Sequence, residues 1–368
     1  TTRIADNTAE ARTLLLSRAR SGAPPDPAKG VMPEQIPEKD ARAMFASFAG
    51  PEVIYDPHSH FRYRGGIDMK VHIADLPGNA YQMVTNSWGM RELENPEDGV
   101  GSPCLVGTGD SHTDGVCDAA QSWPNLIEAA LRARPGGAEA RVWNSGFGGY
   151  SFYEYLGTLR RCRELHPKLF VVCSYAGNDY LDVIRPWAYF ERRESPQVPE
   201  QPMKAVLRES LRTPQAVSQC LQQAVYFREL PQLVEVAVRT AARVCRELAA
   251  EASADGCIAL FVHLPCAADV QRERYANVFG PACERLGLSD EQLDISLRLG
   301  DAWIERLRAS GLPVLDLRPA FRAESQELYW PSDHHINLRG QELVAEAVLA
   351  WLAEQPRETV LAGVEIGR

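Results

Sequence analysis

The nine cysteines of this chain include no Cys-x-x-Cys pair, which removes the commonest zinc and dithiol patterns. They are odd in number and scattered. Cys104, Cys173, Cys257 and Cys266 lie in or beside apolar runs, where a free thiol packs as a small hydrophobe. Cys162, Cys220 and Cys245 fall in helix-like stretches. This usage points to a reduced, cytoplasmic setting. No apolar run approaches the ~20 residues that span a bilayer, and no charged start leads into an apolar h-region. The sequence opens at Thr1 without a methionine, which leaves a removed leader or tag open. Positive charge is the scarcer sign: 39 Lys and Arg stand against 49 Asp and Glu, a net charge of -10. That balance argues against nucleic acid or an anionic membrane as the main partner. No internal repeat is visible.

What is present suits a globular protein. At 368 residues, 45% hydrophobic and 24% charged, the chain can bury a sizeable core without metals or disulfides. Residues 1–95 read as an N-terminal accessory segment. Glu10 to Arg20 is helix-like, Ser21 to Pro37 carries five prolines and reads as a loop, and Glu38 to Phe48 reads as a second short helix. Alternation at Val71, Ile73, Tyr81, Met83 and Thr85 suggests short strands or hairpins.

From about residue 103 the pattern becomes strand, glycine turn, helix, repeated. Strands are expected at Cys104–Thr108, Ala140–Trp143, Leu169–Ser174, Cys257–Leu264 and Val314–Leu317. Helices are expected at Trp123–Ala133, Tyr153–Leu165, Leu233–Ala249, around Ala302–Leu307 and at Gly340–Ala353. Alternation of this kind builds a parallel sheet covered on both faces, with ligands at the carboxyl ends of its strands. The intervals 180–232 and 266–296 break the pattern. They are read as lid insertions within a main domain at 96–356, followed by a tail at 357–368.

The loops at the expected strand ends carry chemistry. Gly109-Asp110-Ser111 follows the first strand. Asn144 to Gly149 follows the second, and Ala176-Gly177-Asn178-Asp179 follows the third. Asp333-His334-His335 lies near the C-terminus. A serine hydroxyl needs a base to become a nucleophile, and histidine suits that role near neutral pH. A carboxylate beside the histidine fixes its tautomer. The tetrahedral intermediate then needs donors aimed at its oxyanion. Ser111 at a strand-to-helix turn has free backbone N–H groups nearby, Gly149 permits close backbone approach, and Asn178 carries a side-chain NH₂. Each block alone is a common turn pattern; their joint order at strand ends is what points to a serine site.

These blocks resemble those of the SGNH (GDSL-type) serine hydrolases over roughly 85–355. The resemblance implies a three-layer α/β/α fold around a five-stranded parallel sheet, flavodoxin-like in layout, with helical lid insertions. It implies Ser111 as nucleophile, His335 as base, Asp333 as its carboxylate, and Gly149 and Asn178 as oxyanion donors beside the Ser111 amide. Thr85-Asn86-Ser87-Trp88-Gly89-Met90-Arg91 is similar to a segment preceding the nucleophile block in one subgroup. Two departures stand out. Ala176 occupies a place usually held by glycine. The last block more often reads Asp-x-x-His, whereas Ser332 lies three before His335 and Asp333 two before. His334 competes for the role of base; the run Ile336 to Gly340 favours His335.

The expected reaction is hydrolysis of a carboxylic ester of a small metabolite, sugar or lipid through an acyl-enzyme, with no cofactor and no metal. A small-molecule ester is the expected partner; the oligomeric state is not legible. His112, His334, Trp187, Tyr189 and Phe190 are candidates to line the substrate pocket. Three rival readings remain: an acyltransferase on the same scaffold, a metal-dependent phosphoesterase using Asp110, Asp114, Asp179, Asp333, His334 and His335, and a binding module that lost activity. His58 and His60 read as part of an exposed strand or loop, and His263 as a hydrogen-bonded core histidine.

Overall fold

Unbroken apolar segments form the centre of the molecule because they are covered on both sides. The computed structural model describes residues 9–21, 29–99, 104–194, 196–213 and 217–355. The residues 22–28 of the proline-rich loop and the tail at 357–368 lie outside the described residues. In chain order the strands are β1 (Val53–Asp56), β2 (His60–Tyr63), β3 (Asp68–His72), β4 (Ala80–Val84), β5 (Cys104–Gly109), β6 (Arg141–Asn144), β7 (Leu169–Tyr175), β8 (Ile258–Leu264) and β9 (Val314–Asp316). The last five form one parallel sheet in the order β6-β5-β7-β8-β9. Every residue of β5 and β7 is buried, which is why both read as continuous apolar runs.

The strand order fixes where a ligand can sit. The chain leaves β5 for β6 on one side and then crosses back to β7 on the other side. Right-handed crossovers therefore place successive helices on opposite faces. Trp123–Arg132 and Leu338–Glu354 pack together in one layer. Phe152–Arg161, Leu233–Ala254 and Ile295–Ala309 pack together in the other. The reversal between β5 and β7 opens a crevice at their carboxyl ends. Gly107 in β5 lets the Trp123 layer approach: a Cβ there would lie 2.6 Å from the Trp123 ring.

The expected helix at Glu38–Phe48 is broken. It runs Glu38–Met44, and Phe45 then turns extended at φ -114° and ψ 120° before a 3₁₀ turn at Ala46–Ala49. The break places the Phe45 ring on His60 and Phe61, with centroids 5.3 and 5.0 Å apart. The expected strands near 71–85 form an antiparallel hairpin of β3 and β4, and β1 pairs with β2 likewise.

The interval 180–232 holds helices Ile184–Phe190, Glu200–Ser210 and Ser218–Glu229, and 266–296 holds Ala276–Leu286. The two insertions are joined by an Arg285–Glu209 ion pair and by Arg228 Nη1 donating to the Leu286 carbonyl at 2.6 Å. Gln223 reaches from the insertion to the end of β7, donating to the Ala176 carbonyl at 2.7 Å and to Ser296 Oγ at 3.0 Å. No helix among the described residues is long and apolar enough to cross a membrane.

Candidate active site

The turn after β5 is shaped by its own side chains. Asp110 caps a four-residue helix, Ser111–Asp114, its Oδ1 accepting the His112 N–H at 2.9 Å. Gly115, at φ +87°, ends it. The last carbonyls of so short a helix need donors. Arg91, fully buried, supplies them: Nη1 donates to the Asp114 and Gly115 carbonyls at 3.0 and 3.1 Å and to Asp114 Oδ1 at 2.9 Å, and Nη2 donates to the Cys117 carbonyl at 2.8 Å. The Tyr63 hydroxyl donates to Asp114 Oδ2 at 2.8 Å.

The second block is tied to the first. Asn144 Nδ2 donates to the Thr113 carbonyl at 2.9 Å, and the Phe147 N–H donates to the Gly109 carbonyl at 3.1 Å. The chain then makes a tight turn, closed by the Tyr150 N–H on the Phe147 carbonyl at 3.0 Å. Gly149 takes its third position at φ +108°, a conformation that favours glycine.

In the third block Asn178 precedes the short helix Asp179–Asp182. One N–H of its side chain donates to Asp182 Oδ2 at 2.7 Å, so one remains for another acceptor. Asp179 behind it is fully buried and accepts from the Tyr155 hydroxyl at 2.7 Å and the Tyr175 N–H at 2.9 Å. Burial, then the negative charge of Asp110, pushes its carboxyl well above the usual range.

The fourth block forms a closed loop before the helix Leu338–Glu354. The Trp330 N–H donates to the His335 carbonyl at 3.0 Å, and Asn337 caps the helix. Asp333 Oδ1 accepts the His335 N–H at 2.9 Å and bonds to His335 Nδ1. Burial opposes the charge on Asp333, but the adjacent His335 outweighs it and holds the carboxyl well below its usual range. His335 Nε2 is buried and makes no hydrogen bond, to Ser111 included. The His334 ring lies against that of His335, tilted by 35° with centroids 4.1 Å apart. From outside the sheet, Asp75 in the β3–β4 turn accepts the Ser332 N–H and hydroxyl at 2.8 and 2.6 Å.

The Ser111 turn and the histidine loop meet through His112. Its Nδ1 accepts the Ile336 N–H at 3.2 Å, and its ring lies 4.9 Å from that of His335 and 3.7 Å from Tyr175. A ring accepting at Nδ1 from a backbone amide is neutral, with its proton on Nε2. Gln341 bridges the same region, donating to the His112 carbonyl and accepting the Trp123 N–H, both at 2.9 Å. The residue directly after Ser111 thus touches the loop of His335, more than two hundred positions later, and the end of β7.

Three pocket candidates pack against the protein itself. Tyr189 is buried with its ring under Arg18 and its hydroxyl on Asp40 at 2.9 Å. Phe190 packs against Tyr153 and His60. Trp187, half-buried, packs on the core from the same helix. The aromatic cluster anchors the N-terminal helices, because Arg18 and Asp40 supply the partners that its polar edges need. His60 is not exposed: it is fully buried at φ +70°, paired with Glu154 Oε1 at 2.8 Å. His263 is buried but neither ring nitrogen is hydrogen-bonded, and burial lowers it to about 4. Of the six metal-ligand candidates, only Asp333, His334 and His335 form a ligand group among the described residues; Asp114 is held by Arg91 and Tyr63, and Asp179 by Tyr155. Tyr63 and Asp75 carry no sequence signal. Arg91 ends the segment Thr85–Arg91, which did.

A serine turn, a glycine turn, an asparagine and an Asp–His pair at one edge of this sheet make the layout of an SGNH-type hydrolase. The model of the GDSL-like lipase/acylhydrolase family matches residues 108–343, and the chain belongs to that family. No curated protein matches it in sequence. Among solved structures it is similar to an alpha/beta hydrolase enzyme from the metagenome of Lake Arreo, Spain, at 18% identity and TM-score 0.39, covering 68% of this chain and 94% of that one. It is similar to a catalytic mutant of an acetylxylan esterase from Geobacillus stearothermophilus, at 14% identity and TM-score 0.40, covering 70% and 96%. It is also similar to a lipase/acylhydrolase from Enterococcus faecalis, at 16% identity and TM-score 0.38, covering 68% and 95%.

Proposed function

We propose that the protein hydrolyses a small-molecule carboxylic ester through an acyl-enzyme on Ser111. The Ser111 hydroxyl attacks the acyl carbon while His335 Nε2 takes its proton. Asp333 holds the Nδ1–H side of that ring and stabilises the imidazolium. The oxyanion accepts from the N–H groups of Ser111 and Gly149 and from the remaining Asn178 Nδ2–H. Collapse of the intermediate breaks the bond to the alcohol, which takes the proton from His335. Water, deprotonated by the same ring, then attacks the acyl carbon; the bond to Ser111 Oγ breaks, the acid leaves, and Oγ regains the proton from His335.

The observation that carries this reading is the contact of His112 with Ile336 at 3.2 Å. It sets the Ser111 turn against the loop of an Asp–His pair whose second ring nitrogen is unoccupied. A fluorophosphonate probe followed by peptide mapping tests it, with p-nitrophenyl acetate turnover measured on the same sample. The adduct is expected on Ser111, with turnover falling in step. Labelling at another residue, or turnover that survives full labelling of Ser111, refutes the assignment.

A further inference from the structure

We propose that Asp333, His334 and His335 form an inhibitory site for a borderline divalent cation such as Zn²⁺ or Cu²⁺, which switches the enzyme off by occupying the His335 lone pair. The inhibitory part rests on the ester-hydrolase reading above; the binding part does not. The three side chains each offer one donor atom, all within 4.8 Å of one another. Zinc bonds of about 2.0–2.2 Å place tetrahedral donors roughly 3.3–3.6 Å apart, so modest side-chain rotation closes the set. Asp333 and His334 are partly exposed, which gives an ion access, while His335 is buried beside the tilted His334 ring. Two imidazoles and one carboxylate suit zinc, copper or nickel and not magnesium or calcium, which prefer oxygen donors.

The consequence for activity follows from the chemistry of the ring. A neutral imidazole has one lone pair. With the proton on Nδ1 toward Asp333, that pair sits on Nε2 and is the pair that takes the serine proton. A cation bound at Nε2 occupies it directly. A cation bound at Nδ1 displaces Asp333 and leaves the proton on Nε2, where the ring donates and cannot accept. Either mode removes the base.

The test titrates the full chain with ZnCl₂ and, separately, with MgCl₂, reading p-nitrophenyl acetate turnover. In parallel, Cu²⁺ binding is read by electron paramagnetic resonance, where nitrogen couplings count the bound imidazoles. Zn²⁺ is expected to inhibit, reversibly on adding a chelator, and Mg²⁺ not to at the same concentration. One Cu²⁺ is expected with two nitrogen ligands. His334→Ala should raise the half-inhibitory Zn²⁺ concentration about tenfold or more relative to its own basal rate, at least what loss of an outer-shell partner costs. His334→Gln should do the same, and His72→Ala, on the exposed face of β3, should not. Equal inhibition of His334→Ala and the wild type overturns the proposal, as does Cu²⁺ binding without the second nitrogen. Should the chain turn over no ester, loss of the two-nitrogen signal in His334→Ala still supports the cation site and refutes the hydrolase reading alone.

Discussion

Asp75 lies outside the central sheet, in the β3–β4 turn, yet it holds the loop that carries the proposed base. Its Oδ2 accepts both the N–H and the hydroxyl of Ser332, at 2.8 and 2.6 Å, directly before Asp333. Hydrogen bonds to a charged acceptor are worth about 1.5–3 kcal/mol each when shielded from water. Asp75 is half-buried and Ser332 exposed, so screening reduces the two together to about 1–1.5 kcal/mol. If that energy keeps Asp333 and His335 in register, Asp75→Ala should lower kcat about five- to tenfold with little change in KM. Asp75→Asn keeps one acceptor and should recover much of the loss. Asp75→Ala combined with Ser332→Ala should cost no more than Asp75→Ala alone, since both remove the same contact. Steady-state kinetics on p-nitrophenyl acetate, with thermal unfolding as a control, reads this. A kcat for Asp75→Ala within twofold of wild type, or a loss confined to KM, would refute the positioning role.

Ser111→Ala should reduce ester turnover by several orders of magnitude and His335→Ala about as much. The double variant should lose little more, because the members act as one unit; additive losses in single-turnover assays would separate them. Asp269, raised to about 6 by burial, binds its proton more tightly folded than unfolded. Its contribution to stability is therefore largest below the unfolded value near 4 and falls as pH rises to about 6. Denaturant midpoints at pH 4.5 and 7 should show Asp269→Asn gaining relative to wild type at the higher pH. Gln223→Ala leaves the buried Ala176 carbonyl without its donor, which should cost about 1–3 kcal/mol in urea unfolding and slow turnover through the Asn178 loop. Unchanged stability would show that another group replaces the bond.

The sheet was legible because β5, β7 and β8 are covered on both faces and leave apolar runs that no exposed strand would carry. Ser111, Asn178, Asp333 and His335 were legible as candidates because each lies in a short local motif beside a strand or helix end. The surrounding supports were not. Asp75 meets Ser332 across 257 positions, and Tyr63 meets Asp114 across 51; both belong to two-stranded hairpins, and strand alternation does not say which distant loop a polar residue there will meet. At Phe45 helix propensity was overridden by packing of its ring on His60 and Phe61. The contacts of Tyr189 and Phe190 were not legible either, because an aromatic cluster reads alike whether it faces a ligand or a neighbouring helix. Arg18 and Asp40, elsewhere in the chain, decide between those outcomes.

The Arg91 clamp has a practical consequence for anyone shortening the gene. A miniature cut to residues 108–343 would retain the signature blocks of the family and discard the guanidinium that finishes the Ser111 helix. Such a fragment would hold the proposed reactive groups without the brace behind the Ser111 turn, so signature blocks alone are a poor guide to the smallest working enzyme.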